Sequence, residues 1–143
     1  MLSLSHRVKV FVYSQCAGEL QYLILKHQPK HETVWGPIEG PIHPSENLEL
    51  AACRRVRDEI GLERPVALVD LRKPERWSLP EESIVEWVLG YRTEPGVELR
   101  RIASAVSEFR WNEFEPAFHA MELPGDRDAI LRLHLLLTTQ TLE

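Results

Sequence analysis

Two adjacent carboxylates, Asp58 and Glu59, are the side chains in this sequence best suited to chemistry. Residues three and four apart on a helix share a face, so Arg55, Asp58 and Glu59 are predicted to point to one side. Mg²⁺ takes oxygen ligands and is commonly held by one or two carboxylates together with substrate phosphates. The spacing therefore predicts a divalent-cation site. Gly40 lets the backbone approach that site and offers its carbonyl oxygen.

A helix from residue 47 to about residue 60 must position these carboxylates. Its start can be capped by the side chain of Asn47 or Ser45, and Gly61 can end it. Apolar residues recur at helical spacing along it, namely Leu48, Ala51, Ala52, Val56 and Ile60. This pattern is typical of an amphipathic helix that packs on one side against a core.

The other elements are predicted from alternation and from helical periodicity. Strands are expected at 7–14, 19–27, 64–73, 83–93 and 107–112, and helices at 113–121 and 126–140. The segments 27–44 and 74–82, rich in Pro, Gly and polar residues, are predicted as loops. Because strands and helices do not alternate regularly, the order favours an α/β fold with a mixed sheet between helices.

Length and charge limit the classes of function. A chain of 143 residues suits one domain, 1–143. A net charge of −5 gives no general attraction to nucleic-acid polymers or anionic membranes, so we expect a small partner. Only two cysteines are present, without a CxxC pair, which excludes a disulfide scaffold and a zinc-ribbon pattern. No segment has about 20 uninterrupted apolar residues, and a cytoplasmic protein is the expectation.

Residues 40–62 resemble the Nudix box, which reads Gly, five residues, Glu, seven residues, then Arg-Glu-U-x-Glu-Glu-x-Gly-U, where U is a bulky aliphatic residue. Asp58 replaces a Glu of the pattern by its shorter homologue, and Arg55 replaces its first helical Glu. The positions that match are Gly40, Glu46, Arg54, Val56, Glu59, Gly61 and Leu62. The upstream "WGPIEG" and the downstream "EFRWNEF" also resemble parts of this family.

The resemblance implies a Nudix-type α/β/α sandwich and Mg²⁺-dependent hydrolysis, with Mn²⁺ as a substitute, of a pyrophosphate bond in a nucleoside di- or triphosphate-type substrate. Asp58 and Glu59 would be metal ligands, and Gly40 would add its carbonyl. Glu46 and Arg54 would brace the loop and the helix. These implied roles define the catalytic set Glu59, Asp58, Arg54 and Glu46.

Arg55 changes this expectation, because it puts a positive charge where the family has a carboxylate. We expect weaker metal binding and reduced activity. The alternative is a Nudix-fold module that binds a phosphorylated ligand or a protein partner, with Arg55 contacting phosphate. An ordinary exposed Arg55–Glu59 salt bridge is the simplest reading of the spacing. The general base could come from later in the chain, from Glu81, Glu82, Glu94, Glu98 or Glu108.

Two further residues are candidates for substrate contact. Trp35, like Trp87, could stack on a base, although a tryptophan in an apolar strand such as the one that contains Trp87 is usually part of the core. His43 could touch phosphate, although a lone histidine in a loop more often faces solvent. The leucines near the C-terminus are expected to form core or the surface of a homodimer.

Overall fold

The computed structural model describes residues 3–27, 34–100 and 102–140. The strands are β1 (Ser3–Cys16), β2 (Glu19–His27), β3 (Val34–Gly36), β4 (Ile38–Pro41), β5 (Ala67–Asp70), β6 (Glu75–Leu79), β7 (Glu82–Thr93) and β8 (Val106–Asn112). The helices are α1 (Leu48–Ile60), α2 (Phe114–Ala120) and α3 (Pro124–Gln140). None of the described helices is long and apolar enough to span a membrane.

The strands form one mixed sheet, as predicted. Its longest pairing is parallel, between β1 and β7, and it joins Ser3 to Glu82 and Ser14 to Thr93. All other pairings are antiparallel: β2 and β4 pair with β1, β5 and β6 with β7, and β3 and β8 with β2. The β1–β2 connection is the predicted hairpin, with Ala17 and Gly18 at positive φ.

Alternate residues of the strands face two cores, one on each side of the sheet. Val8, Val10 and Val12 of β1 pack towards α1. Phe11 and Tyr13 of the same strand pack on the other side, with Ile130 and Leu133 of α3. The sheet therefore lies between α1 on one face and α2 with α3 on the other, which is the expected α/β/α arrangement.

Helix α1 follows the sequence closely. The Asn47 side chain accepts a hydrogen bond from the Leu50 backbone N–H at 2.8 Å, so Asn47 is the cap that forms. Gly61 ends the helix at φ 74°, a left-handed conformation that favours glycine. The buried face consists of Ala51, Ala52, Val56 and Ile60.

Two loop predictions were wrong. The segment 74–82 contains β6, which pairs with β7 and forms a hairpin. Within 27–44, residues 34–36 and 38–41 form β3 and β4, while residues 28–33 of the predicted loop lie outside the described part. These short strands are held by pairing with β1, β2 and β7, and such distant partners override local Pro and Gly signals.

Candidate functional site

The loop before α1 is tied to the helix by Glu46 and Arg54. Arg54 Nε donates to Glu46 Oε2 at 2.6 Å, and its Nη2 donates to Glu46 Oε1 at 3.0 Å and to the Pro41 carbonyl at 2.8 Å. The backbone N–H of His43 also donates to Glu46. The hydrogen bonds from Arg54, and then the one from His43, lower the pKa of Glu46 to about 2. This bidentate contact is the brace that the resemblance implies.

Arg55 pairs with Glu59 through its Nη2 and the Glu59 Oε1. The two side chains are only 21% and 13% exposed, so this is not the solvated salt bridge of the simplest reading. Arg55 also lies against Gly40, where an added Cβ would be 2.7 Å from Arg55 Cδ. Arg55 Nε and Glu59 Oε2 are buried and have no hydrogen-bond partner among the described residues. The Arg55 guanidinium therefore occupies the space between Gly40 and Glu59.

Asp58 has a different environment from Glu59. Its side chain is 48% exposed, and its Oδ2 lies 3.9 Å from Arg54 Nη1. Both predicted metal-binding carboxylates thus have an arginine beside them. The structure brings Gly40, Arg55 and Glu59 together, and it leaves Asp58 at the edge of this group.

A divalent cation needs several oxygen ligands and a local excess of negative charge. In the described part of the chain Glu59 Oε2 is a buried acceptor without a partner, but the charge of Glu59 is offset by Arg55. Across residues 3–27, 34–100 and 102–140, no group of three or more His, Cys, Asp or Glu side chains is placed to hold a metal ion. With Arg55 in this position, the side chains do not fit a divalent cation.

Glu59 also lines a pocket of about 380 Å³ between the end of α1, the β3–β4 edge and the start of α3. Two further acidic residues line it, Glu39 of β4 and Asp126 of α3. His27 closes one side and bonds through Nε2 to the Pro37 carbonyl at 2.9 Å. Sequence reasoning did not name Glu39 or Asp126 as site residues, because the extra carboxylates that it considered were glutamates between residues 81 and 108.

A buried ionic cluster lies behind this pocket. Lys9 Nζ is 2.9 Å from Asp126 Oδ1 and 3.4 Å from both Glu86 Oε1 and Glu75 Oε2. Burial alone would lower the pKa of Lys9, but the charge and hydrogen bond of Asp126 raise it overall. Burial and the carboxylates of Glu86 and Asp126 raise the pKa of Glu39 to about 8. The sequence held one signal of this cluster: each of two apolar strands contains a charged residue, Lys9 in β1 and Glu86 in β7.

The remaining candidates lie elsewhere. Trp35 faces the core of α2 and α3, with Arg110 Cζ 4.5 Å from its ring centre, and it does not line the pocket. His43 lines a different hollow beyond the Glu46–Arg54 brace. None of the suggested bases lines the pocket that contains Glu59; they are Glu81, Glu82, Glu94, Glu98 and Glu108.

The NUDIX domain matches residues 5–133. No curated protein matches the sequence.

Several solved structures have the same fold. A provisionally assigned NUDIX hydrolase from Listeria monocytogenes has a TM-score of 0.80 at 19% identity, over 94% of this chain and 95% of that one. The Ap4A hydrolase binary complex of C. elegans has a TM-score of 0.73 at 16% identity, over 94% and 98%. The NUDIX domain of Shewanella oneidensis NrtR, complexed with ADP ribose, has 0.74 at 14% identity, over 96% and 89%.

The structural likeness shows the fold, and the domain match covers most of the sequence, including the Glu46–Arg54 brace and the whole of α1. This chain therefore belongs to the Nudix family.

Proposed function

We propose that this chain binds a small, nucleotide-like di- or triphosphate at Glu59 and hydrolyses its pyrophosphate bond slowly with Mg²⁺ or Mn²⁺. The observation that carries the proposal is the position of Glu59. This helix carboxylate lines a pocket of about 380 Å³, and one of its oxygens is buried without a hydrogen-bond partner in the residues that the structure describes. Asp58, Glu59 and the Gly40 carbonyl are the proposed metal ligands. Glu46 and Arg54 are the proposed positioning residues.

The ligand class is supported by the size of the pocket and by the relatives. Pockets of about 300–1,000 Å³ hold small molecules, whereas a nucleic-acid polymer requires a long basic surface. The solved structures with this fold include an Ap4A hydrolase and a complex with ADP ribose. Both names describe nucleotides that contain linked phosphates. We carry that class, and no particular substrate, over to this chain.

Slow turnover is proposed because Arg55 competes with a cation for Glu59. Two like unit charges about 4 Å apart repel by about 4 kcal/mol at an effective dielectric constant of about 20. Metal-dependent activity therefore requires Arg55 to leave Glu59. This cost should weaken metal binding.

The Arg55–Glu59 pair favours a second candidate function, a module that binds a phosphorylated ligand without turnover. Arginine can grip phosphate with two hydrogen bonds, but it is not a base at neutral pH. A third class, a domain that binds only a protein partner, has no specific contact in its favour. The cytoplasmic location and the homodimer stay predictions.

A nucleotide panel with Mg²⁺ or Mn²⁺, followed by release of phosphate or pyrophosphate, tests the proposal. It should be run on the wild type, Arg55→Glu and Glu59→Gln. We expect Arg55→Glu to raise metal affinity and turnover, and Glu59→Gln to lower both. Arg57→Glu is the matched control, because it makes the same charge change at an exposed position of the same helix.

The outcomes separate the candidates. Unchanged turnover in Glu59→Gln would remove the site assignment. A panel without metal-dependent turnover, in which a nucleotide still raises the melting temperature, would select the binding module. No response in either measurement would leave the partner-binding domain.

A further inference from the structure

Arg55 is the one residue of the site whose charge opposes the role expected of its position. We propose that its guanidinium takes the place of the metal ion, so that this chain binds a diphosphate group without metal. In this binding mode a phosphate replaces Glu59 as the anion that pairs with Arg55. This inference rests on the proposed ligand class, but not on turnover. The ligand chemistry is a diphosphate, either free or as part of a nucleotide.

The first support is the way in which Arg55 is held. Its side chain is about four-fifths buried, since 21% is exposed, and it lies across Gly40. Any side chain at residue 40 would meet it, so the glycine leaves the space that Arg55 occupies. Packing thus places the guanidinium next to Glu59. Glu59 lines the pocket and separates Arg55 from it, so a ligand reaches the guanidinium by displacing Glu59.

The second support is an unused donor. A guanidinium has five N–H donors in a planar fork, and Glu59 accepts from Nη2. Arg55 Nε is buried and has no hydrogen-bond partner in the described structure. A buried donor without an acceptor is costly, so it is satisfied when an oxygen-rich ligand arrives. A phosphate can accept from two N–H groups of one guanidinium at once.

The third support is the competition that Glu59 creates. Glu59 and a phosphate are both anions that would use the same cation, and one Glu59 oxygen is already buried without a partner among residues 3–27, 34–100 and 102–140. Two anions around one guanidinium repel each other in a partly buried site. Removing the charge of Glu59 should therefore strengthen phosphate binding. A site that binds phosphate through a metal predicts the opposite, because it would lose a metal ligand.

Calorimetric titration of inorganic pyrophosphate into the protein, with EDTA present, tests the inference. We expect binding by the wild type that weakens as salt is added. Glu59→Gln should bind about fivefold or more tightly, the size of effect that a charge-assisted contact gives. Arg55→Ala should lose binding by at least about tenfold. Arg57→Ala, on the exposed face of α1, should stay within about twofold of the wild type.

Circular dichroism and melting temperature show whether each variant is folded. A second measurement on the wild type avoids variants altogether: in an ¹⁵N spectrum, pyrophosphate in EDTA should shift the Arg55 Nε–H signal, and AMP should shift it less. Binding seen only after Glu59→Gln also supports the exchange, since it shows that Glu59 blocks the site.

Three results would overturn the inference. They are weaker pyrophosphate binding in Glu59→Gln, undiminished binding in Arg55→Ala, and no binding without Mg²⁺ in either the wild type or Glu59→Gln. Failure of the proposed hydrolysis is a separate result, because it appears in the nucleotide panel and leaves metal-free binding unchanged.

Discussion

The side chain of Arg55 lies directly across the backbone of Gly40. A Cβ added at residue 40 would be 2.7 Å from Arg55 Cδ and 3.0 Å from its Cζ, closer than packed atoms normally approach. Because these atoms belong to a long, flexible side chain, Arg55 rather than the strand would move. Gly40 on β4 and Arg55 on α1 thus depend on each other, and the absence of a side chain at residue 40 keeps Arg55 on Glu59.

This dependence predicts a non-additive effect of Gly40→Ala. In the wild type, the new methyl group should push Arg55 away from Glu59, whereas in an Arg55→Ala background it should fit. We expect a coupling of about 1 kcal/mol between the two changes, measured by urea unfolding of both single variants and the double variant.

Gly36→Ala is the matched control for this cycle. Its Cβ would meet Asp126 Oδ2 at 3.1 Å rather than Arg55, so its cost should be the same in both backgrounds. Equal costs for Gly40→Ala with and without Arg55 would contradict the contact.

The ionic cluster around Lys9 predicts a large stability effect. Lys9 is 4% exposed and offsets the carboxylates of Asp126, Glu86 and Glu75. Lys9→Met should therefore lower the free energy of unfolding by about 3–5 kcal/mol, because buried carboxylates lose their partner.

Urea unfolding of Lys9→Met should be compared with Lys26→Met, whose ammonium is 35% exposed and 3.7 Å from Glu108. For this surface pair we expect a loss of at most about 1 kcal/mol. If the two substitutions cost the same, Lys9 would not be the charge that holds the cluster.

The contrast between α1 and this cluster shows what the sequence could predict. The helix was predicted to within a residue because its period, the Asn47 cap and the Gly61 stop are all local. The brace between Glu46 and Arg54 followed from the resemblance. The alternation in β1 predicts that Val8 and Lys9 face opposite sides of the sheet. It does not show that Lys9 contacts Asp126, which lies near the other end of the chain. Contacts between distant residues have no local pattern.

Residue 55 shows the same limit at the site. The sequence shows an arginine in place of a carboxylate, and helical spacing gives its partner, Glu59. It does not show that the pair is mostly buried or that Arg55 leans on Gly40, since both depend on how β4 approaches α1. The short strand β6 was missed because only its pairing with β7 defines it.

The brace predicts an acid-dependent loss of stability. The hydrogen bonds from Arg54 and from the His43 N–H lower the pKa of Glu46 from 4.5 to about 2. A lowered carboxyl pKa stabilises the folded state above about pH 4.5, and this contribution is lost as the pH falls through about 2. The melting temperature of Glu46→Gln should therefore be below that of the wild type at pH 6, and the difference should shrink towards pH 2.

Glu94→Gln controls for the loss of one negative charge, because Glu94 is exposed and lies outside this loop. A difference between Glu46→Gln and the wild type that stays constant from pH 6 to pH 2 would show that the carboxylate form is not what the brace requires.

His134 predicts a second pH effect, at the opposite end of the acidic range. Its ring stacks on Phe114 with centres 4.1 Å apart, and its Nδ1 is 2.8 Å from the Tyr22 hydroxyl. Burial lowers the pKa of His134 below 6.5 and raises that of Tyr22, so the phenol keeps its proton and can donate a hydrogen bond to the neutral ring. Because the unfolded chain binds this proton more readily, the contribution of His134 to stability should fall as the pH drops through about 6.5 and level off below the folded pKa.

Melting curves between pH 5 and pH 7.5 test this effect on the wild type and His134→Gln, with exposed His119→Gln as the control. Because glutamine does not titrate, we expect the wild type and His119→Gln to become less stable relative to His134→Gln as the pH falls from 7.5 to 5. The comparison between proteins removes the opposite contribution of Glu39, whose raised pKa of about 8 favours the folded state at lower pH in all three. The same pH dependence in all three proteins would show that His134 makes no such contribution. His134 and Asp126 both lie on α3, and Asp126 lines the pocket. If protonation of His134 weakens the packing of α3, it should therefore also weaken the binding of a ligand in the pocket.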